Sequence, residues 1–356
     1  MENWKVIRDK LITDEGCEAG ELRIVVDSHD FGGSIRPTYS EGIGWAMLFA
    51  AIMDSNEEST RVIFDGLNAY RKRCLMPSGF MHWRILADGK IGDEGVAVEA
   101  EENIAMALLL AHIQWGSPDD TTYLSEFRGL CRALSERCVL PDHNLLKPGD
   151  VWGGEGLLHP ANWKLAYWRV WEKAVPDPVW SKVRVSTVEL IQRVLKLSPT
   201  GLPPHWCQID GSPTGASEAY FADYTFDYDA LQLPVHNALH LAWYGPEKAA
   251  EAVAMNSKIA AWLASSAGAK PSNMVDGYSL DGAPTGKYRA VAFLASFMTV
   301  AASSPNASPE AWFEAMDKIP VQEDGYYAAL IRLYALLVIS GNFPDLPQWV
   351  DENMIE

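Results

Sequence analysis

Residues 101–115 read EENIAMALLLAHIQW, and this stretch decides the fold. Ile104, Leu108 and Leu109, joined by Ala105 and His112, recur at the i, i+3, i+4 spacing of a helix face. Working outward, segments of similar length and pattern recur along the whole chain. They predict helices over 3–12, 42–54, 58–73, 99–115, 122–138, 161–173, 178–197, 228–244, 247–265, 288–301, 309–317 and 325–340. Strand candidates are short: LRIVV at 22–26 and FMHWRI at 80–85. About twelve helices with almost no sheet predict an all-α solenoid or toroid, with short strands confined to the loops. Pro and Gly are scattered singly, without a linker-like run, so residues 1–356 are expected to form a single domain.

Composition excludes several functions. The chain carries 47 acidic and 29 basic residues, a formal net charge of −18. Nucleic acid and anionic membrane surfaces are bound through clustered Lys and Arg, which this sequence lacks. Its longest apolar runs, near 104–113 and 333–339, are too short to cross a bilayer. Five cysteines at irregular spacing, with no C-x-x-C pair, argue against a disulfide framework or a zinc ribbon. The N-terminal MENWKVIRDKLITDEG has no apolar leader segment. A cytoplasmic protein fits this, as does a secreted one whose leader is missing from the sequence.

Loop composition points to a ligand class. Gly79–Arg84 (GFMHWR), Gly149–Glu155 (GDVWGGE) and Gly201–Gly211 (GLPPHWCQIDG) each combine Trp and Gly, and the last two add acids; the chain holds 14 Trp. Indole faces stack on the C–H face of sugar rings, while carboxylates and amides take the hydroxyls. Any single Trp is as readily a core residue, but the set points to carbohydrate.

Three stretches can carry chemistry. In YSEGIGWAM (39–47), Glu41 precedes a Gly-x-Gly step into an apolar helix, so it is either a helix-end acid or a general acid. In AVEAEENIAMALLLAHIQW (97–115), Glu99, Glu101 and Glu102 crowd a helix N-terminus, where the dipole favours acids. Glu99 and Glu102 share a face, Glu101 points elsewhere, and at least one should face inward. In FDYDALQLPVHNALH (226–240), Asp227 and Asp229 alternate with aromatics before a helix, as N-caps or as a general base. His236 and His240 have the spacing of zinc-binding helices, but Asn237 stands where the base would be and no third ligand is evident.

These stretches resemble glycoside hydrolase family 8, the inverting endo-β-1,4-glycanases with an (α/α)6 toroid. YSEGIGWAM is similar to the family's SEGxGYGM. Residues 97–115 are similar to its signature A-(S/T)-D-(A/G)-D-x-x-(I/M)-A-x-(S/A), with the trailing Ala111 and Trp115 also in register. LLHPANWKLAYWRVWEK (157–173) resembles INPSYWxPAYYRxF; TGLPPHW and DGSP (200–206, 210–213) resemble TGLxPDW and DGSP; and DYDALQLPVHNAL (227–239) resembles YDAxRxPWRIAL. The resemblance runs from about Trp4 to Phe343. It implies one catalytic domain, with Glu41 as general acid and Asp229 as general base, no metal or organic cofactor, and a β-linked polysaccharide or oligosaccharide as substrate for a monomer. Carboxyls of an inverting pair stand roughly 6.5–9.5 Å apart to admit the attacking water.

Glu99 and Glu101 are implied at the sugar-holding signature, and Tyr228 as an orienting group for Asp229. Trp83 and Trp163 are implied as stacking platforms, with Trp45 and Gln232 as further substrate contacts. The chain departs from the pattern where Glu99 and Glu101 replace aspartates, where Gln232 and His236 replace arginines, and where His240 replaces an aspartate. Loss of those arginines removes charge-assisted bonds and leaves a catalytically impaired carbohydrate-binding protein as an alternative. A reducing-end xylose-releasing exo-oligoxylanase is another alternative, though the segment GAPTGKYRAVAF (282–293) lacks that branch's cleft-blocking insertion. A terpene-cyclase-like enzyme would need acidic magnesium motifs, for which only Asp119–Asp120 is available.

Overall fold

The helices show two kinds of burial, some enclosed on nearly all sides and others buried along one face only. A computed structural model describes residues 2–29, 32–117, 123–215, 224–265, 268–304 and 307–354, so the Asp119–Asp120 pair lies outside the described residues. Thirteen α-helices are present among the described residues: α1 Glu2–Val6, α2 Ser40–Ile52, α3 Arg61–Arg73, α4 Val98–Trp115, α5 Tyr123–Arg137, α6 Leu165–Ala174, α7 Val179–Leu197, α8 Gln232–Lys248, α9 Ala250–Ala264, α10 Val291–Ala302, α11 Glu310–Asp317, α12 Tyr326–Ile339 and α13 Leu346–Asn353. Each predicted segment overlaps one of them. The short α13, closed by an Asp345 side chain accepting from the Gln348 N–H at 3.1 Å, is additional.

Helices α2, α4 and α10 are buried around most of their circumference, whereas α3, α5, α7 and α11 carry a stripe. In α4 every residue from Val98 to Ala111 is buried, so the stripe read from the sequence is part of a fully enclosed helix. Helix α2 is likewise buried from Gly42 to Ala51, and α10 from Val291 to Ala301. By contrast α3 turns Phe64, Leu67 and Tyr70 inward and leaves Lys72 and Arg73 outside. Helix α7 does the same with Val183, Leu190, Ile191 and Val194 against exposed arginine, lysine and glutamate. Removing a Leu or Phe of this kind from water contributes about 1.5–3 kcal/mol per side chain.

The chain falls into two compact units, each assembled from three separate stretches. The first comprises 1–138, 148–152 and 324–330; the second comprises 139–147, 153–323 and 331–356. In the first, α2 packs on α4, flanked by α3 and α5. Its β-structure is the hairpin β1 (Ile12–Thr13) with β2 (Arg23–Ile24), and a three-stranded sheet β3 (Thr38–Tyr39), β4 (Arg84–Ile85), β5 (Ile91–Asp93). Both predicted strand segments contribute here, shortened to β2 and β4. Pairing of Thr38 with Ile85 and Tyr39 with Arg84 sets the start of α2 beside the 80–85 loop.

In the second unit α8 packs against α6, α9 and α10. Two hairpins cap it: β6 (Val139–Leu140) with β7 (Leu145–Leu146), and β8 (Trp206–Cys207) with β9 (Pro213–Thr214). No helix among the described residues is long and apolar enough to cross a membrane. All five cysteines are free thiols, four of them buried.

Candidate active site

In the first unit the site begins where β3 hands over to α2. Tyr39 is extended, the Ser40 N–H donates to the Trp83 carbonyl at 2.9 Å, and the helix starts with Glu41 in its first turn. Glu41 is half-buried, and its Oε2 accepts a hydrogen bond from the Tyr326 hydroxyl at 3.1 Å. Tyr326 is held in place by its own N–H, which donates to Asp27 at 3.2 Å. Burial, and then the Glu41 charge, push the Tyr326 phenol well above its ordinary pKa, so it is a permanent donor. Tyr39 stands edge-on to Tyr326 at 6.3 Å and lies against Trp83 at 5.5 Å, so the ring that reaches the carboxyl belongs to an aromatic cluster.

The two glycines after Glu41 have separate steric reasons. A Cβ on Gly42 would sit 2.5 Å from the Tyr326 hydroxyl oxygen, obstructing the group that reaches Glu41. A Cβ on Gly44 would sit 2.8 Å from the Ala100 carbonyl oxygen, which requires α2 and the first turn of α4 to approach this closely.

That first turn of α4 carries Glu99, Glu101 and Glu102, and all three are buried. Glu99 and Glu41 both act electrostatically on Tyr326. Glu101 is fully enclosed and accepts the Met81 N–H at 2.8 Å, fixing the loop two residues before Trp83. Burial raises its pKa to about 7, outweighing the Met81 bond and the attraction of Arg71. Trp45 is fully buried and stacks on Phe49, whereas Trp83 is half-buried.

In the second unit Asp229 sits in the turn entering α8, closed by Leu231 N–H to Asp227 O at 3.0 Å and Gln232 N–H to Asp229 O at 3.1 Å. Asp229 Oδ2 lies 2.9 Å from His205 Nε2 and 3.5 Å from His159 Nε2. His205 Nδ1 in turn lies 2.8 Å from Asp227 Oδ1. Both imidazoles stack with Trp206, at 4.1 Å for His159 and 5.0 Å for His205. Burial opposes ionisation of Asp229, but His205 and then His159 overcome it and hold the carboxyl well below the usual range. Burial also works against the charge on His205, yet its two aspartates raise its pKa.

The remaining site residues have their own partners. Tyr228 is exposed, and its hydroxyl donates to Asp276 Oδ2 at 3.1 Å; Asp276 Oδ1 accepts the Lys287 and Tyr288 N–H groups. Gln232 is buried in the first turn of α8, and Trp163 is buried at 2% exposure. His236 Nδ1 lies 2.8 Å from the Tyr334 hydroxyl; burial and the Lys164 charge push its pKa well down. His240 lies 2.8 Å from Glu251 and accepts from Arg169 at 3.1 Å. The two histidines of the zinc-like spacing thus serve different partners.

Sequence reasoning missed His159, His205 and Tyr326. For the histidines a signal existed: the INPSYW and TGLxPDW motifs carry Asn and Asp where this chain has His159 and His205. For Tyr326, 285 residues from Glu41, no local signal existed.

An all-α fold thus presents a half-buried glutamate at one helix start and a histidine-flanked aspartate at another. The family model "Glycosyl hydrolases family 8" matches residues 1–341. Endoglucanase A of Acetivibrio thermocellus is 32% identical over 354 residues, covering 97% of this chain and 69% of that protein. A more distant relative, the reducing end xylose-releasing exo-oligoxylanase of Halalkalibacterium halodurans, is 25% identical over 329 residues, covering 85% of this chain and 79% of the other. The apo β-1,3-1,4-glucanase of Paenibacillus sp. X4 superposes with a TM-score of 0.83 at 26% identity, covering 96% of this chain and 90% of that one. The chain belongs to glycoside hydrolase family 8. It has the all-α, (α/α)6-type fold of that family and is a glycosidase.

Proposed function

We propose that the protein cleaves β-1,4-linked glucan internally and with inversion, Glu41 acting as general acid and Asp229 as general base. The whole chain is proposed to work as one catalytic domain, which its two units, each built from three interleaved stretches, support. The observation that carries the reading is the contrast in environment between the two carboxyls. Glu41 is half-buried beside the Tyr326 ring, and partial burial favours the protonated form that a general acid must carry. Asp229 is flanked by two imidazoles, surroundings suited to one that stays ionised and takes a proton from water. Glu41 protonates the departing glycosidic oxygen; Asp229 deprotonates the water that attacks the anomeric carbon from the other face.

Glu99 is proposed to hold the sugar undergoing cleavage, and Trp83 to stack on a neighbouring ring. Glu101 supports that ring indirectly, through the Met81 N–H. No step in this chemistry calls for a metal or an organic cofactor. Relatives named endoglucanase and β-1,3-1,4-glucanase favour glucan over xylan.

The test is hydrolysis of carboxymethyl-cellulose, mixed-linkage β-glucan, xylan and short xylo-oligosaccharides, with products sized and the new anomer read by NMR. Falling glucan chain length with an α-anomer product is expected. A β-anomer would refute inversion. Release of single xyloses from short oligomers alone would replace this reading with the exo-acting one.

A further inference from the structure

Two imidazoles and a carboxylate converge at the entrance to α8. His159 Nε2, His205 Nε2 and a carboxylate oxygen of Asp229 all lie within 4.8 Å of one another. A tetrahedral zinc ion with bonds of about 2.0–2.1 Å spaces its ligand atoms about 3.4 Å apart. The His205–Asp229 and His159–Asp229 separations, 2.9 and 3.5 Å, bracket that value.

The site is built, not a chance surface grouping. The His159 side chain is only 7% exposed, and its Nε2 has no hydrogen-bond partner among the described residues, since 3.5 Å to Asp229 is too long for a good one. The two histidine-bearing segments are clamped by reciprocal backbone bonds, Leu158 N–H to Cys207 O at 2.7 Å and Cys207 N–H to Leu158 O at 3.0 Å. Stacking on Trp206 fixes both ring planes. Asp227, 2.8 Å from His205 Nδ1, supplies the outer carboxylate that orients a ligating imidazole, and the ion would take the place of the proton between His205 Nε2 and Asp229. The Asp229 side chain is 32% exposed, which leaves room for water in a fourth position.

We propose that His159, His205 and Asp229 form a binding site for a divalent ion of the zinc type, supported by Asp227. Occupancy withdraws Asp229 from base catalysis and makes the ion a reversible inhibitor; this second half rests on the proposed role of Asp229. Two imidazoles and one carboxylate suit zinc and its neighbours in the first transition row better than magnesium or calcium, which prefer all-oxygen sites.

The test is equilibrium dialysis of the full chain against Zn²⁺ near neutral pH, with bound metal counted by mass spectrometry. One ion per chain is expected. His159→Asn and His205→Asn should each weaken binding at least a hundredfold, and Asp227→Asn about tenfold or more. His143→Asn, at a histidine paired with Glu155 elsewhere, should leave binding unchanged. Visible absorption of the Co²⁺-loaded wild type should show the intense bands of a four-coordinate ion, a readout that needs no variant to fold. Absence of a stoichiometric ion, or binding undiminished in both histidine variants, overturns the site and leaves the glycosidase reading standing. One bound ion with turnover unaffected overturns the inhibitory half, and with it the base role of Asp229.

Discussion

Glu41 and Asp229 are held in place by different physics. Around Glu41 much of the restraint is steric: two glycines admit a tyrosine and a neighbouring helix, and the tyrosine hydroxyl reaches the carboxyl. Around Asp229 the restraints are ionisable: two stacked imidazoles lie beside it, and a second aspartate lies on the far nitrogen of His205. A general acid must carry its proton before the reaction and a general base must have lost it; the flanking imidazoles keep Asp229 ionised. Position near Glu41 is therefore sensitive to volume, and position near Asp229 to charge.

The largest effect expected from breaking this contrast is on turnover. Glu41→Gln and Asp229→Asn should each lower the hydrolysis rate by about 10²–10⁴-fold, the span of a lost general acid or base. Both replacements preserve size, so the melting temperature should stay within a few degrees of wild type. Near-normal turnover in either variant would remove that residue from its role.

Next in size is a stability effect confined to the steric half. Glu101 is enclosed, and its pKa is raised to about 7 from an ordinary value near 4.5, chiefly by burial. The folded state therefore keeps this proton at pH values where the unfolded chain has lost it. Stability from that proton is complete below about pH 4.5 and falls as pH rises to about 7. The difference amounts to about 3 kcal/mol, at 1.36 kcal/mol per pH unit. Glu101→Gln keeps an acceptor for the Met81 N–H and cannot ionise. Urea unfolding at a series of pH values should show the variant gaining on wild type through this window, then running parallel to it. A constant difference would mean that Glu101 is ionised in the folded state throughout.

How much of this was legible in the sequence follows the same divide. The all-α class, all twelve predicted helices and both catalytic candidates could be read because 3.6-residue periodicity and short motifs are local signals. Helix α13 was missed because eight residues carry too little periodicity. The enclosure of α4 was underestimated because a stripe shows one buried face, while the other faces depend on what packs there. Pairings such as Tyr326 with Glu41, or His205 with Asp229, join distant segments, and only the fold can reveal them. The histidine replacements were visible as letters within motifs, but their meaning depended on both lying beside one carboxylate.

A smaller stability effect should come from the helix contact itself. Gly44→Ala places a methyl group 2.8 Å from the Ala100 carbonyl oxygen and 3.0 Å from the Asn103 Cβ. Backbone must yield, at a cost of about 1–3 kcal/mol. Denaturation midpoints would measure it. Because the shift separates Glu41 from the first turn of α4, turnover should fall as well. A variant with wild-type stability would show that α2 can slide without penalty and that the glycine is not needed for packing.

The smallest expected effect is the most discriminating. Tyr326→Phe keeps the ring that packs beside Tyr39 and removes only the hydroxyl that donates to Glu41. If the hydroxyl merely positions the carboxyl, its loss should cost about one hydrogen bond, roughly 1 kcal/mol, and lower kcat about fivefold with KM little changed. The ring preserves the volume on which this half depends, so the melting temperature should hold. A loss as large as that of Glu41→Gln would instead make the phenol a participant in proton transfer, and the contrast between a sterically held acid and a charge-held base would no longer stand. A rise in KM at constant kcat would place the hydroxyl on the sugar and not on the carboxyl. Steady-state kinetics on one soluble glucan separates the three outcomes, because each moves a different combination of kcat and KM.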